Sequence, residues 1–543
     1  MVFARRSTTL LAAIIASCAM VLSLTACTSD NKTVVDGQTT VTSNSAGGVA
    51  VFTPSDGITL NQQMPLNKWA KLVPDLTKAL VDAGFKKGDI NHTTSDSLDK
   101  QSRAIQDFVV DHLSNNTTDD SGIAIAPDNM TLLVAPVVEA DASTRQYGDY
   151  VSQNLSTNDV TDEGATSDGE SSEDDSSKDD SSNTESDSTA SDEQAQAVDR
   201  LVSSLKLAKE SGMHVVLLGN SIEGYKPDAF VKFSDAQTIG KLQAEKMVSK
   251  LKLDKASKDN PKYIEVLLPY TAVDEKGNAN DSTFAQEAFR GIWQVLGSYY
   301  QKGVVESPSG TLDGKSTEND WQAVAYDAAK EGSTAKVLDK RLAKTDGQST
   351  LTRIDGIITM NDYIASEVVK ELDDLGYTGS AADINPQITI SGIVGNITGK
   401  KDLSRDAVPD PIKSPENDNA NDSSSSDDDV DEDTSASDKD RDSQWPLVTG
   451  YGAYVSNIPS IVNGKQWMTG MEDRQTIATD IAQACAKLNK DEALNSMPSI
   501  RSSEVGGVKK IPTISEPLLA VSASNLKSAL IDPGYISLAD AGL

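Results

Sequence analysis

An α/β fold of two doubly wound parallel-sheet lobes is the class this sequence predicts, on three observations. Four runs, MTLLVAP (130–136), MHVVLLGN (213–220), YIEVLLPY (263–270) and IDGIITMND (354–362), are apolar throughout instead of alternating. Such runs read as parallel strands buried on both faces. Helical periodicity fills the chain between them, and 543 residues exceed what one sheet usually needs.

The N-terminus reads as a targeting segment. Arg5 and Arg6 precede an apolar stretch from Leu10 to Leu22, and small residues then lead to Cys27. The stretch is too short to span a membrane and fits a secretory signal over 1–26. Leu24-Thr25-Ala26-Cys27 resembles the bacterial lipobox, which implies an acylated Cys27 as the first mature residue. The arginine pair lacks the rest of a twin-arginine pattern and supplies positive charge. Cleavage there leaves Cys27 and Cys485 as the remaining cysteines, so no internal disulfide is expected and the fold must stand on its core. Residues 27–50 are polar, small and aperiodic; read as a flexible tether, the stretch after Cys27 reaches roughly 25 Å.

Helices come next. Leu66 to Val73 reads as a turn before a helix that Pro74 starts and Ala83 ends. Val198, Leu201, Leu205 and Ala208 recur at helical spacing and stop at Gly212; Ala365, Val368, Val369, Leu372 and Leu375 do the same before Gly376.

Net charge is −33, and two segments carry most of it. Asp159 to Glu193 holds fourteen acids and one lysine; Lys413 to Asp442 holds twelve acids and three bases. Val160 and Val430 are the only large aliphatic residues inside them, too little apolar surface to offset the entropy of ordering. Disordered insertions are therefore expected over about 156–195 and about 403–443. They read as solvated loops, with weak divalent-cation binding or spacing from an anionic envelope as the alternatives; neither contains an EF-hand loop. The remaining mature chain is mildly acidic, and nothing basic points to nucleic acid.

Composition also argues against an enzyme. His92, His112 and His214 are far apart and show no metal spacing, and His214 reads as a packed residue of an apolar strand. GNSIEG (219–224) is not a nucleophile elbow, and GYGAYVSN lacks the third glycine of a dinucleotide loop. Cys485 lies on a helical pattern and reads as a buried thiol. No cofactor and no metal are expected. In doubly wound folds ligands bind where loops leave the carboxyl ends of strands. Those loops are GNSIEG, PYTAVDEKGNAND (269–281), MNDY (360–363) and GYGAY (450–454), rich in amides and carboxylates.

Four stretches carry a family resemblance: NKWAK (67–71), FVKFSDAQTIGKLQAEKMV (230–248), the run 354–376 with its Asn-Asp pair, and IPTISEPLLAVSASNLKSALIDPGY (511–535). The chain resembles substrate-binding lipoproteins of sugar ABC transporters, with the type I periplasmic-binding fold, nearest the xylose and multiple-sugar class. The resemblance implies two lobes joined by a three-strand hinge. The first lobe is expected over 51–230 and 469–510, the second over 231–468, and a hinge strand and tail over 511–543.

It also implies a site. A sugar offers apolar C–H faces and a ring of hydroxyls, which aromatic platforms and planar polar groups complement. Trp69 is expected either to stack on the ring or to pack in the core. Asn361 and Asp362 are expected either to bind adjacent hydroxyls or to cap the following helix. Asp235 follows Phe233 with one residue more than the family spacing. Gly219-Asn220 stands where relatives place an Asp-Arg pair, and Tyr451-Gly452 where they place Gln-Asp, if WPLVTGYGA (445–453) is the equivalent strand; ITISGIVGN (388–396) is its rival. Asn280 and Asp281 approximate the family's asparagine run. The implied partners are a carbohydrate or other small polar solute, a membrane permease and, through Cys27, the outer face of the cell membrane. A monomer is expected. The competing functions are a lipid-anchored sensor and a surface protein that has lost ligand binding.

Overall fold

The computed structural model describes residues 33–35, 38–40, 46–55, 65–115, 125–138, 142–150, 153–156, 185–273, 282–328, 330–343, 351–381 and 445–543. The signal segment, Cys27, Asn280, Asp281, the rival strand 388–396, the second acidic insertion and most of the first lie outside them.

Within the N-terminal unit, Thr33–Val35 and Gln38–Thr40 pair antiparallel, where a structureless tether was expected. Thr and Val suit strands.

The described residues of the second unit, Ala46–Leu543, hold two large sheets and two two-stranded ones. The first has seven strands in the order Ile500–Val505, Val508–Ser515, Ala229–Lys232, His214–Leu218, Met130–Val134, Gly48–Pro54 and Ile90–Ser95. All neighbours are parallel except the edge pair 500–505 and 508–515. The second has six, Val305–Glu306, Lys262–Val266, Gly356–Ile358, Leu447–Tyr451, Met468–Met471 and Leu519–Ser522, with only the last antiparallel. Both are covered by helices on two faces, and the apolar runs follow from that. Val51, Leu133, Val216 and Val231 pack into one core, while Ala50, Leu132, Val215 and Phe230 pack into another across the same sheet. In the second sheet Ile264 and Ile358 face one core, and Ile357 and Val448 the other. Strand Leu447–Tyr451, between Gly356–Ile358 and Met468–Met471, comes from WPLVTGYGA.

Three crossings join the lobes. Residues 233–235 lead from the first sheet into helix Ala236–Leu251, whose Ile239 and Met247 sit in the second-lobe core. Residues 472–473 return from strand Met468–Met471 to helix Arg474–Leu488, whose Ile477 and Ile481 lie in the first-lobe core. Residues 516–518 join Val508–Ser515 to Leu519–Ser522. This is the hinged two-lobe arrangement that the resemblance implies. In detail the first sheet begins at Gly48 rather than residue 51, and strand Met468–Met471 runs three residues past the expected boundary at 468.

Three local expectations are corrected. Pro74 does not start its helix: the helix is Trp69–Asp82, with Pro74 inside it. Its beginning is set by Asp149, eighty residues on, whose Oδ2 accepts the Trp69 N–H at 3.0 Å while Oδ1 pairs with Lys68 Nζ at 2.8 Å. The helix carrying Val198 begins at Glu185, ten residues inside the span expected to be disordered. Alanine and glutamine favour a helix there, and acidic residue types suit its N-terminal turns. His214 opens its strand half-buried, with Nε2 at 3.2 Å from the Asp128 carbonyl, rather than packed inside.

Candidate functional site

The facing ends of the two sheets are where the hinge brings the lobes together. From the first lobe, strand Met130–Val134 is followed, beyond 135–138, by the short helix Ala142–Arg145 and then Gln146 and Tyr147. Tyr147 is 1% exposed and packs in the core of the second lobe, its ring centroid 4.7 Å from Phe284 and 6.3 Å from Tyr451. Gln146 takes two donors from the second lobe. Tyr454 Oη donates to its backbone carbonyl at 2.7 Å, and Asn361 Nδ2 donates to its Oε1 at 3.1 Å. The Leu66 N–H donates across the same junction to the Gly452 carbonyl at 2.8 Å. Gly452 has φ +113°, and a Cβ there would lie 3.0 Å from the Tyr454 ring and 3.3 Å from Pro65. The turn therefore favours glycine.

Behind this junction stands an aromatic cluster. Trp69 is 3% exposed, with its ring edge-on to Tyr150 at 5.0 Å and to Phe233 at 5.7 Å. The Tyr150 and Phe233 rings stack at 4.7 Å. Trp69 is thus a packed residue of the first-lobe core beside the junction.

The Asn-Asp pair splits into two roles. Asn361 caps helix Asp362–Leu375, its Oδ1 accepting the Ile364 N–H at 2.9 Å, while its amide nitrogen reaches Gln146. Asp362 turns inward. Its Oδ1 accepts from Gln466 Nε2 at 2.7 Å, and its Oδ2 from the Tyr454 N–H and Thr469 Oγ1, both at 2.9 Å. Full burial pushes its pKa up to about 6 against these bonds. A Cβ on Gly450 would meet Oδ1 at 2.1 Å, so the carboxylate is seated against bare backbone.

The remaining expected residues are distributed. Tyr451, 1% exposed, places its hydroxyl 2.6 Å from Ser234 Oγ. Asn220 is buried between the Pro136 carbonyl, to which it donates, and the Gln153 N–H, which it accepts. Asp235 caps helix Ala236–Leu251 through Thr238 and pairs with Lys232 at 2.9 Å. Burial opposes its ionisation, but these partners outweigh burial and hold its carboxyl below the usual range. The structure therefore groups Trp69, Asn361 and Tyr451 around the junction and places Asn220, Asp235 and Asp362 in structural bonds.

Six further residues stand at the candidate site: Tyr454, Asn67 and Ser234, which lie in the stretches 450–454, 67–71 and 230–248 noted in the sequence, and Gln146, Tyr147 and Glu472, which the sequence did not single out. Glu472 occupies the second crossing and accepts from the Ser234 N–H at 2.7 Å and from the Ser234 hydroxyl. Burial pushes its pKa up to about 7. The Glu472 N–H reaches Asn67 Oδ1 at 3.3 Å, and the Asn67 carbonyl accepts the Asp149 N–H at 2.8 Å. Gln146 and Tyr147 follow the first-lobe strand at 130–134, so the strand-end rule pointed to their loop.

Among the described residues no group of three or more His, Cys, Asp or Glu could hold a metal ion, and no helix is long and apolar enough to cross a membrane. Cys485 is buried, and burial raises its thiol pKa.

No protein-family profile matches the chain, and no curated protein matches it. Among solved structures it is similar to an ABC transporter solute-binding protein of Clostridium phytofermentans with bound β-D-glucose, at 17% identity over 91% of this chain and 99% of that one, TM-score 0.44. A carbohydrate transporter solute-binding protein of Chloroflexus aurantiacus in complex with D-glucose matches at 18% identity over 92% and 98%, TM-score 0.42. An arabinose-binding protein of Geobacillus stearothermophilus matches at 10% identity over 89% and 99%, TM-score 0.41.

Proposed function

We propose that the chain is an extracytoplasmic solute-binding protein. It captures an uncharged polar solute of the sugar type between its lobes and hands it, in the closed form, to a membrane permease. The observation that carries this reading is the junction itself. Asn361 and Tyr454 supply hydrogen-bond donors at the strand ends, Phe284 and Tyr451 supply flat apolar faces beside them, and three crossings allow the gap to open. Hydroxyls match the donors and C–H faces match the rings. Selectivity comes from differential affinity for the closed state. Acylation at Cys27 keeps the monomeric protein on the outer face of the membrane. A second reading, a surface protein without a guest, draws on the bonds by which Asn361 and Asp362 are already occupied within the chain.

A thermal-shift screen against pentoses, hexoses, oligosaccharides and nucleosides tests the proposal. A true ligand at 100 times its Kd adds about 2.7 kcal/mol of stability. A flat response to every solute favours the second reading, and binding without an associated permease favours the sensor.

A further inference from the structure

The segment ending at Tyr150 is built as a strap. Its base is fixed to the first lobe: the Asp149 N–H donates to the Asn67 carbonyl, its carboxylate holds Lys68 and the Trp69 N–H, and the Tyr150 hydroxyl donates to the Lys68 carbonyl at 2.5 Å. Its tip belongs to the other lobe, since Tyr147 is packed among second-lobe residues and Gln146 bonds to Asn361 and Tyr454. Gly148 lies between base and tip with φ +101°, and a Cβ there would come within 2.6 Å of the Asn67 carbonyl oxygen. Glycine alone lets the chain turn so closely over its anchor.

We propose that Gln146 and Tyr147 are a built-in occupant of the inter-lobe junction, which holds the lobes closed when no guest is present. The carboxamide and backbone carbonyl of Gln146 accept from the two donors that a hydroxylated guest would use, and the Tyr147 ring covers the apolar face. A guest must expel this tip, so its apparent affinity is reduced by the fraction of chains in which the strap is released. The inference rests on the two-lobed architecture and not on the identity of any guest.

Hydrogen exchange of the ligand-free full chain tests it. The Leu66 N–H bonds to the Gly452 carbonyl across the junction and is expected to report its opening, whereas the Leu133 N–H lies within the first sheet and reports its integrity. Gln146→Ala and Tyr454→Phe each remove one strap bond and are expected to speed Leu66 exchange roughly five- to tenfold, leaving Leu133 unchanged. Because Tyr454→Phe keeps the buried ring, it remains informative if Gln146→Ala folds poorly. Leu66 exchange that is equally slow in both variants and the unaltered chain, or that proceeds at the rate of an open amide in the unaltered chain, overturns the proposal. A flat solute screen leaves this result untouched, so the two failures are distinguishable.

Discussion

Ser234 and Glu472 tie the first hinge crossing to the second: the Ser234 N–H donates to Glu472 Oε1 at 2.7 Å, and its hydroxyl, itself 2.6 Å from Tyr451 Oη, bonds to the same oxygen. The carboxyl is fully buried with no cation among its partners in the described residues, and burial raises its pKa from 4.5 to about 7. The hinge therefore has a protonatable group at its centre.

That placement makes stability fall as pH rises. Between pH 4.5 and 7 the unfolded chain has released the Glu472 proton while the folded chain keeps it, so the folded state binds more protons in this window. Asp362 adds to the same trend between 3.8 and about 6. Denaturant midpoints are expected to be higher at pH 5 than at pH 7.5. Glu472→Gln, neutral at both, is expected to flatten the difference by an amount on the order of 3 kcal/mol. An unchanged pH slope in the variant contradicts the assignment.

Asp362→Asn is expected to destabilise the second lobe by about 1–3 kcal/mol at neutral pH. Gln466, Thr469 and the Tyr454 N–H all donate to the carboxylate, so one of them would face an amide N–H instead. Urea unfolding measures the cost, and a neutral substitution would mean that the carboxylate is not held by these donors.

Asp149→Ala removes the acceptor at the start of helix Trp69–Asp82 together with the Lys68 ion pair. A cost of about 1–2 kcal/mol is expected in the same assay. Exchange of the first-turn amides should accelerate as well; unaltered exchange would show that the helix start is fixed by other contacts.

Much of the architecture was legible because two-sided burial leaves a direct trace: Leu132 and Leu133 must both be apolar when helices cover both faces of the sheet. Gly376 was equally plain, with φ +92° at the end of its helix. What the sequence hid are relationships between distant residues. Nothing near Trp69 announces that Asp149 fixes its helix, so Pro74, a common first residue, misled. Asn361 and Asp362 are adjacent in sequence, yet the extended backbone at Asn361 and the helix that follows send one side chain to the junction and the other into the interior. Gln146 and Tyr147 carry no periodic signal, because their role depends on a lobe whose sequence begins nearly ninety positions later.

On the proposed function, a small neutral solute sits between the lobes against Asn361. Calorimetric titration of the best solute from the thermal-shift screen into Gln146→Ala, where the strap bond to Asn361 is already absent, and into the double variant Gln146→Ala/Asn361→Ala is the decisive test. Saturable one-to-one binding, weakened about tenfold or more by the Asn361 substitution, is the expected result. Binding of equal strength to both proteins would contradict the account.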